Sequence, residues 1–101
     1  MKKVINGLMY DIEKAEKIAE DSFSALSDFH YFRERLYRTK SGRYFFVGEG
    51  GPMSRYAKEL GNNSRTGGSR LWAVNDVEAK EWLAKINPDE CEKIFGKFPE
   101  A

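Results

Sequence analysis

The 101-residue chain is the length of one domain, and its 41% hydrophobic and 14% aromatic residues, spread along the sequence, are enough for a single modest core. No apolar run approaches the roughly 18 residues of a membrane span, and Met1-Lys2-Lys3-Val4 leads into Asn6-Gly7 instead of a signal-peptide apolar region, so a soluble cytoplasmic protein is expected. One cysteine, Cys91, and one histidine, His30, exclude an internal disulfide and a Cys/His zinc site, while a net charge of +1 excludes no class of partner.

Residues 3–10, KVINGLMY, read as extended with Asn6-Gly7 as a tight turn, either one bent strand or a very small hairpin. Asp11 is placed to cap a helix in which Ile12, Ala15, Ile18 and Ala19 form the apolar stripe, with Glu13, Lys14, Glu16, Lys17 and Glu20 outside. Residues 22–28 mix serines with Phe23 and Leu26 and read as a loop with buried anchors. Two runs, 31–39 and 43–48, are strand-like and are joined by Lys40-Ser41-Gly42, whose glycine suits the left-handed position of a hairpin turn.

Residues 52–60 read as a short helix begun by Pro52 or capped by Ser54, with Met53, Tyr56, Ala57 and Leu60 at helical spacing. Residues 61–69, GNNSRTGGS, are polar and aperiodic, hence an exposed loop. A short strand at 70–74 precedes Asn75, which with Glu78 makes a capping box before Ala79, Trp82, Leu83 and Ile86. Asn87-Pro88-Asp89-Glu90 then starts a second helix with Cys91, Ile94, Phe95 and Phe98 on one face. The expected fold is α+β over residues 1–101: a small antiparallel sheet of three to four strands with a central β-hairpin, packed by an N-terminal helix and a C-terminal helical hairpin.

Charge is segregated along the chain. Residues 31–70 carry nine Lys/Arg against three acids, and every arginine lies in that block, while both flanks are acidic. Arginine forks bind phosphate and carboxylate bidentately, so the block suggests a surface that faces an anion. Alternation along a strand sends Arg33 and Arg35 to one face with Tyr31 and Tyr37. Such a face can bind nucleic acid, or it can be a solvated face with arginine stems lying over tyrosine rings. Arg65 and Arg70, beside glycines in the second polar loop, add to the case for a binding surface.

The stretch VGEGGPMSRY, residues 47–56, raises the question of a phosphate cradle. It lacks the Lys-Ser/Thr of a Walker A loop and the third glycine of a dinucleotide fingerprint, and Pro52 removes an amide where a cradle would want one. A structural turn leaving the hairpin is expected, the alternative being an interaction loop presenting Glu49, Ser54 and Arg55. Gly48, Gly50 and Gly51 would shape the exit from the hairpin, Gly50 and Gly51 through backbone conformations closed to other residues, while Arg55, Arg65 and Arg70 contact a partner. His30 beside Phe29 and Tyr31 reads as a packed side chain, Cys91 as a core residue, and no carboxylate pair stands out, so no catalytic group, metal or cofactor is expected.

The ordered segments KKVINGLMYD, LYRTKSGRYFFVGEGGPMSRYA, GGS, EAKEWL and ECEKIFG cover nearly the whole chain. In these the sequence resembles a group of small cytoplasmic proteins of conjugative elements, plasmids and phages that is associated with anti-CRISPR function. The resemblance implies a non-enzymatic inhibitor that occupies a surface of a CRISPR effector protein or ribonucleoprotein. Its expected contact residues are Arg33, Arg35, Glu49, Arg55, Arg65 and Arg70, chosen from the charge pattern above. The alternative is a nucleic-acid-binding accessory or regulatory protein that uses the Arg/Tyr face.

Overall fold

Asn6 and Gly7 sit at φ 50° and 79°, the left-handed pair that a two-residue hairpin turn requires, and they join β1 (Lys2–Ile5) to β2 (Leu8–Asp11). The computed structural model describes every residue from Met1 to Ala101. The first segment is therefore a small hairpin and not a bent strand.

The helix expected after Asp11 is absent. The Asp11 carboxylate accepts from the Glu13 amide at 3.0 Å and its carbonyl from the Lys14 amide at 3.2 Å, which makes a tight turn, and the chain then runs as β3 (Glu16–Phe23). Strand β3 pairs antiparallel with β4 (Phe32–Arg38), with Ile18 left over between the pairs Lys17–Tyr37 and Ala19–Leu36 as a bulge. The turn and the bulge together mimic helical spacing. Ile12 and Ala15 pack on one face of the sheet and Ile18 and Ala19 on the other, so the apparent stripe is divided between two cores. Pairing with β4 overrides the local helix preference of this segment.

Strand β4 continues through a turn, with Gly42 at φ 89°, into β5 (Tyr44–Gly50). The two strands are the middle of a four-stranded antiparallel sheet ordered β3-β4-β5-β8, where β8 is Gly68–Val74, so the expected hairpin is built into a sheet with strands on both sides. One face is covered by α1 (Asp76–Ile86) and α2 (Pro88–Phe95), which bury Ala79, Leu83 and Cys91 against Leu36, Tyr44 and Phe46. Asn75 closes its capping box with Glu78, accepting at 2.8 Å and donating at 3.3 Å, and Asn87 caps α2 ahead of Pro88. The β1–β2 hairpin covers the opposite face, where Tyr10 packs edge-on against Phe45 at 5.4 Å and Tyr37 stacks on Phe45 at 5.2 Å.

Residues 52–60 are not helical either. The Gly51 amide donates to Tyr31 O at 2.8 Å and the Met53 amide to Phe29 O at 2.7 Å, so the segment after β5 is tied to the β3–β4 connection. Two successive turns follow, closed by Ser54 N to Gly51 O and Ala57 N to Ser54 O, and the chain becomes β6 (Lys58–Gly61). The expected loop at 61–69 holds β7 (Ser64–Thr66) and the start of β8, with Asn62 and Asn63 at φ 49° and 62° forming the turn of a β6–β7 ribbon. Every residue of that ribbon is exposed. The molecule is accordingly extended, 50 × 37 × 19 Å with a radius of gyration of 15.3 Å, against about 13 Å for a compact 100-residue domain. No helix is long and apolar enough to cross a membrane.

Phe45, fully buried and in contact with both aromatic partners of the hairpin-side core, is the residue whose truncation should cost most. Phe45→Ala should lower the unfolding free energy by about 3–5 kcal/mol, whereas Val77→Ala, at a position 61% exposed on α1, should change it by less than about 0.5 kcal/mol. Denaturant titrations of the two variants check both.

Candidate functional site

Along β5 the side chains that face the helices step down from Tyr44 and Phe46 to Gly48 and Gly50. A Cβ at Gly48 would fall inside the ring of Tyr56, so the bare glycine is what lets that ring lie on the sheet. The Tyr56 hydroxyl donates to Oε2 of Glu34, whose other oxygen accepts from Arg55 Nη2 at 3.1 Å. Glu34 is 6% exposed and is the one buried charged residue of the chain. Burial first, and then the Glu34 hydrogen bond, hold the Tyr56 phenol well above the ordinary phenol range, so it remains a neutral donor.

Around this pair the aromatic rings carry cations. The Arg55 guanidinium lies 5.2 Å from the Phe32 ring centre and 5.8 Å from that of Tyr56, and Arg70 lies 4.6 Å from that of Trp72. Glu34, Arg55, Tyr56, Lys58, Arg70 and Trp72 line an open cleft of about 410 Å³. Arg70 and Lys58 make no ion pair and Arg55 pairs only with Glu34, so three cations face one carboxylate. Arg65 stands outside the cleft on the β6–β7 ribbon, opposite Glu59 and exposed.

The remaining sequence-predicted residues lie on the other face of the sheet. Arg33 Nη2 is 2.8 Å from Glu20 and its Nη1 3.7 Å from Glu49, while Arg35 Nη2 is 3.9 Å from Glu49 and its Nη1 3.3 Å from the Tyr37 hydroxyl. The Arg33 hydrogen bond holds the Glu20 carboxyl below its usual range, and Glu20 in turn raises Arg33. Two guanidinium groups thus face two carboxylates, with both Nε atoms buried and unpartnered. Arg33, Arg35 and Glu49 are not brought together with Arg55 and Arg70.

Two further expectations are revised. His30 is exposed, not packed, with Nδ1 3.4 Å from Asp28, whose carboxylate also accepts the His30 amide and the Ser24 hydroxyl to shape the β3–β4 connection. Gly48, Gly50 and Gly51 are not at positive φ; what they need is space, since a Cβ at Gly50 or Gly51 would come within 2.7 Å of the Tyr31 or Phe29 carbonyl oxygen. Cys91 is fully buried, and burial pushes its thiol up.

Glu34, Tyr56, Lys58 and Trp72 are the cleft residues that sequence reasoning passed over. Alternation did carry a signal for Glu34, since it shares a strand face with Phe32 and Leu36 and was bound for the covered side. Comparison with known protein families, with curated proteins and with solved structures finds no match to this chain.

Tyr56→Phe should cost about 1–3 kcal/mol by leaving buried Glu34 short of a donor, and Gly48→Ala a similar amount by displacing the ring, both read as lowered denaturation midpoints. On the other face the Glu20 pair gives an acid dependence. A carboxyl depressed in the folded state stabilises above its unfolded pKa and loses that contribution as the pH falls through its lower folded value. The stability gap between the natural chain and Glu20→Gln should therefore be present at neutral pH and close in acid, as measured by melts across that range.

Proposed function

We propose that the protein is a non-enzymatic binding protein of a mobile genetic element, an anti-CRISPR inhibitor that occupies an anionic surface of a CRISPR effector complex from the host cytoplasm. The observation that carries the binding reading is the cleft: Arg55, Lys58 and Arg70 converge on one opening with a single carboxylate among them. The setting rests on the whole-chain resemblance to mobile-element proteins.

A binding role suits the chemistry of the cleft better than catalysis. Both oxygens of Glu34 are occupied, by Tyr56 and Arg55, and the phenol is held protonated, so the pair anchors the cleft and offers no free base. The aromatic rings under Arg55 and Arg70 limit the motion that those side chains would lose on binding. Of the six contact residues expected from the sequence, Arg55 and Arg70 are assigned to the contact, with Arg65 at its margin and Lys58 added. Arg33 and Arg35 are paired with Glu20 and Glu49 on the far face, and Arg33, Arg35 and Glu49 are assigned to stability.

The test is expression in a CRISPR-immune host with phage or plasmid targeting as the readout. The natural chain should relieve immunity in at least one system type, and Lys58→Glu with Arg70→Glu should restore it by at least about tenfold, equivalent to some 1.4 kcal/mol of partner binding, while the purified double variant melts within a few degrees of the natural chain. Undiminished immunity in every system type tried would overturn the inhibitor reading. An inhibitor unaffected by the double reversal would place the contact elsewhere.

A further inference from the structure

We infer that the cleft is a phosphodiester site, and that what it takes is a stretch of single-stranded nucleic acid running from the cleft onto the β6–β7 ribbon. This deepens the reading of the cleft as the contact surface and rests on it.

Three cations, Arg55, Lys58 and Arg70, line the cleft, and Lys58 is also the first residue of the ribbon, where it lies opposite Thr66. The next pair of positions, Glu59 and Arg65, faces the other side of the ribbon by strand alternation. Arg70, Lys58 and Arg65 are all without an ion-pair partner. Cations presented without matching acids suit a sugar-phosphate backbone, which places one phosphate at each successive nucleotide.

The way the guanidinium groups are held favours nucleic acid over an acidic peptide. Arg70 lies over Trp72 with no carboxylate partner, while Arg55 lies between Phe32 and Tyr56 and is tied to Glu34. A guanidinium placed over a ring as Arg70 is can take an unstacked base or a phosphate, since none of its N–H groups is committed to an acid. A peptide would instead need apolar pockets for its side chains, as recurring peptide-binding grooves provide. The ribbon tip is Asn62, Asn63 and Ser64, polar throughout, and glycines flank it at Gly61, Gly67 and Gly68. A cleft of about 410 Å³ lies in the range that accommodates one small ligand unit, such as a single splayed nucleotide.

The experiment is fluorescence anisotropy with the full chain and labelled mixed-sequence DNA and RNA oligonucleotides of about 12 nucleotides, with the matching duplex, polyglutamate and inorganic phosphate as competitors. The single strands should bind, with affinity falling about twentyfold between about 50 and 200 mM salt, as three neutralised phosphates on a single strand require. Arg70→Gln with Lys58→Gln should weaken binding at least about tenfold and flatten the salt dependence, and Arg65→Gln should do so to a smaller degree. Arg33→Gln, on the far face, should leave binding unchanged. Absence of oligonucleotide binding, competition by polyglutamate or free phosphate equal to that of the unlabelled strand, or stronger binding to the duplex would each overturn the inference. If oligonucleotides fail while the Lys58/Arg70 reversal still abolishes inhibition in the host, the cleft remains the contact and its partner is an acidic protein. If neither assay responds to the cleft variants, the reading of the cleft falls with the inference.

Discussion

A strand in the middle of a sheet covered on both sides must send alternate residues to two different partners, and β5 is where this constraint falls in the present fold. Tyr44 and Phe46 meet the helices, while Phe45 and Val47 meet the β1–β2 hairpin. Neither cover extends the length of the strand. Past Val47 the same alternation delivers Gly48 and Gly50 to the helix side and Glu49 to the hairpin side, so the apolar layers end at the same level on both faces. The sheet is thus apolar at one end and polar at the other. What fills the polar end differs between the faces, and that difference is what singles out the helix side as the candidate contact surface.

On the hairpin side the filling is ionic. Arg33 and Arg35 are set against Glu20 and Glu49, with Lys17 sharing Glu20, and such partly exposed pairs contribute little stability, of order 0–1 kcal/mol each, while leaving neither guanidinium without a carboxylate. On the helix side Glu34, with Asp21 across from it on β3, is the acid buried beside Tyr56, and burying a carboxylate uncompensated would cost several kcal/mol. The hydroxyl of Tyr56 and the guanidinium of Arg55 remove most of that cost. The compensation has a geometric consequence, since both donors come from the turn at 54–56 and fix it against the sheet. The chain then leaves over Gly68, where a Cβ would clash with the Tyr56 carbonyl oxygen, and this places the ribbon beside the cleft.

Much of this architecture was legible in the sequence where local chemistry and tertiary contacts agree. The strand runs at 31–39, 43–48 and 70–74 locate three of the four strands of the main sheet, and the capping box at Asn75 and the Asn87-Pro88 start locate the two C-terminal helices. The two misread helices have one cause. In residues 12–19 and 52–60 apolar residues recur at helical spacing because turns and a bulge distribute them to separate surfaces, and periodicity alone does not distinguish that from a helix. The candidate site was half legible for a related reason. A count of arginines finds the basic block but not which arginines are neutralised, because Glu20 and Glu49 reach Arg33 only through strand pairing. Tyr56 could be valued only once Gly48 was known to lie beneath it.

Charge available for binding is what remains after pairing, and in this chain pairing follows sheet geometry. Arg33 and Arg35 lie across from acidic residues of neighbouring strands, so the register itself compensates them. Arg70 lies across from Gly48, which has no side chain to offer, and Lys58 lies across from Thr66, whereas Arg65 has Glu59 across the ribbon. The glycine that admits Tyr56 to the sheet therefore also leaves Arg70 uncompensated. Its cation is held in place by Trp72 instead of by a carboxylate, and an aromatic ring orients a guanidinium without cancelling its charge. One small residue at the centre of β5 in this way connects the packing of the sheet to the presence of an ordered, unpaired cation at its surface.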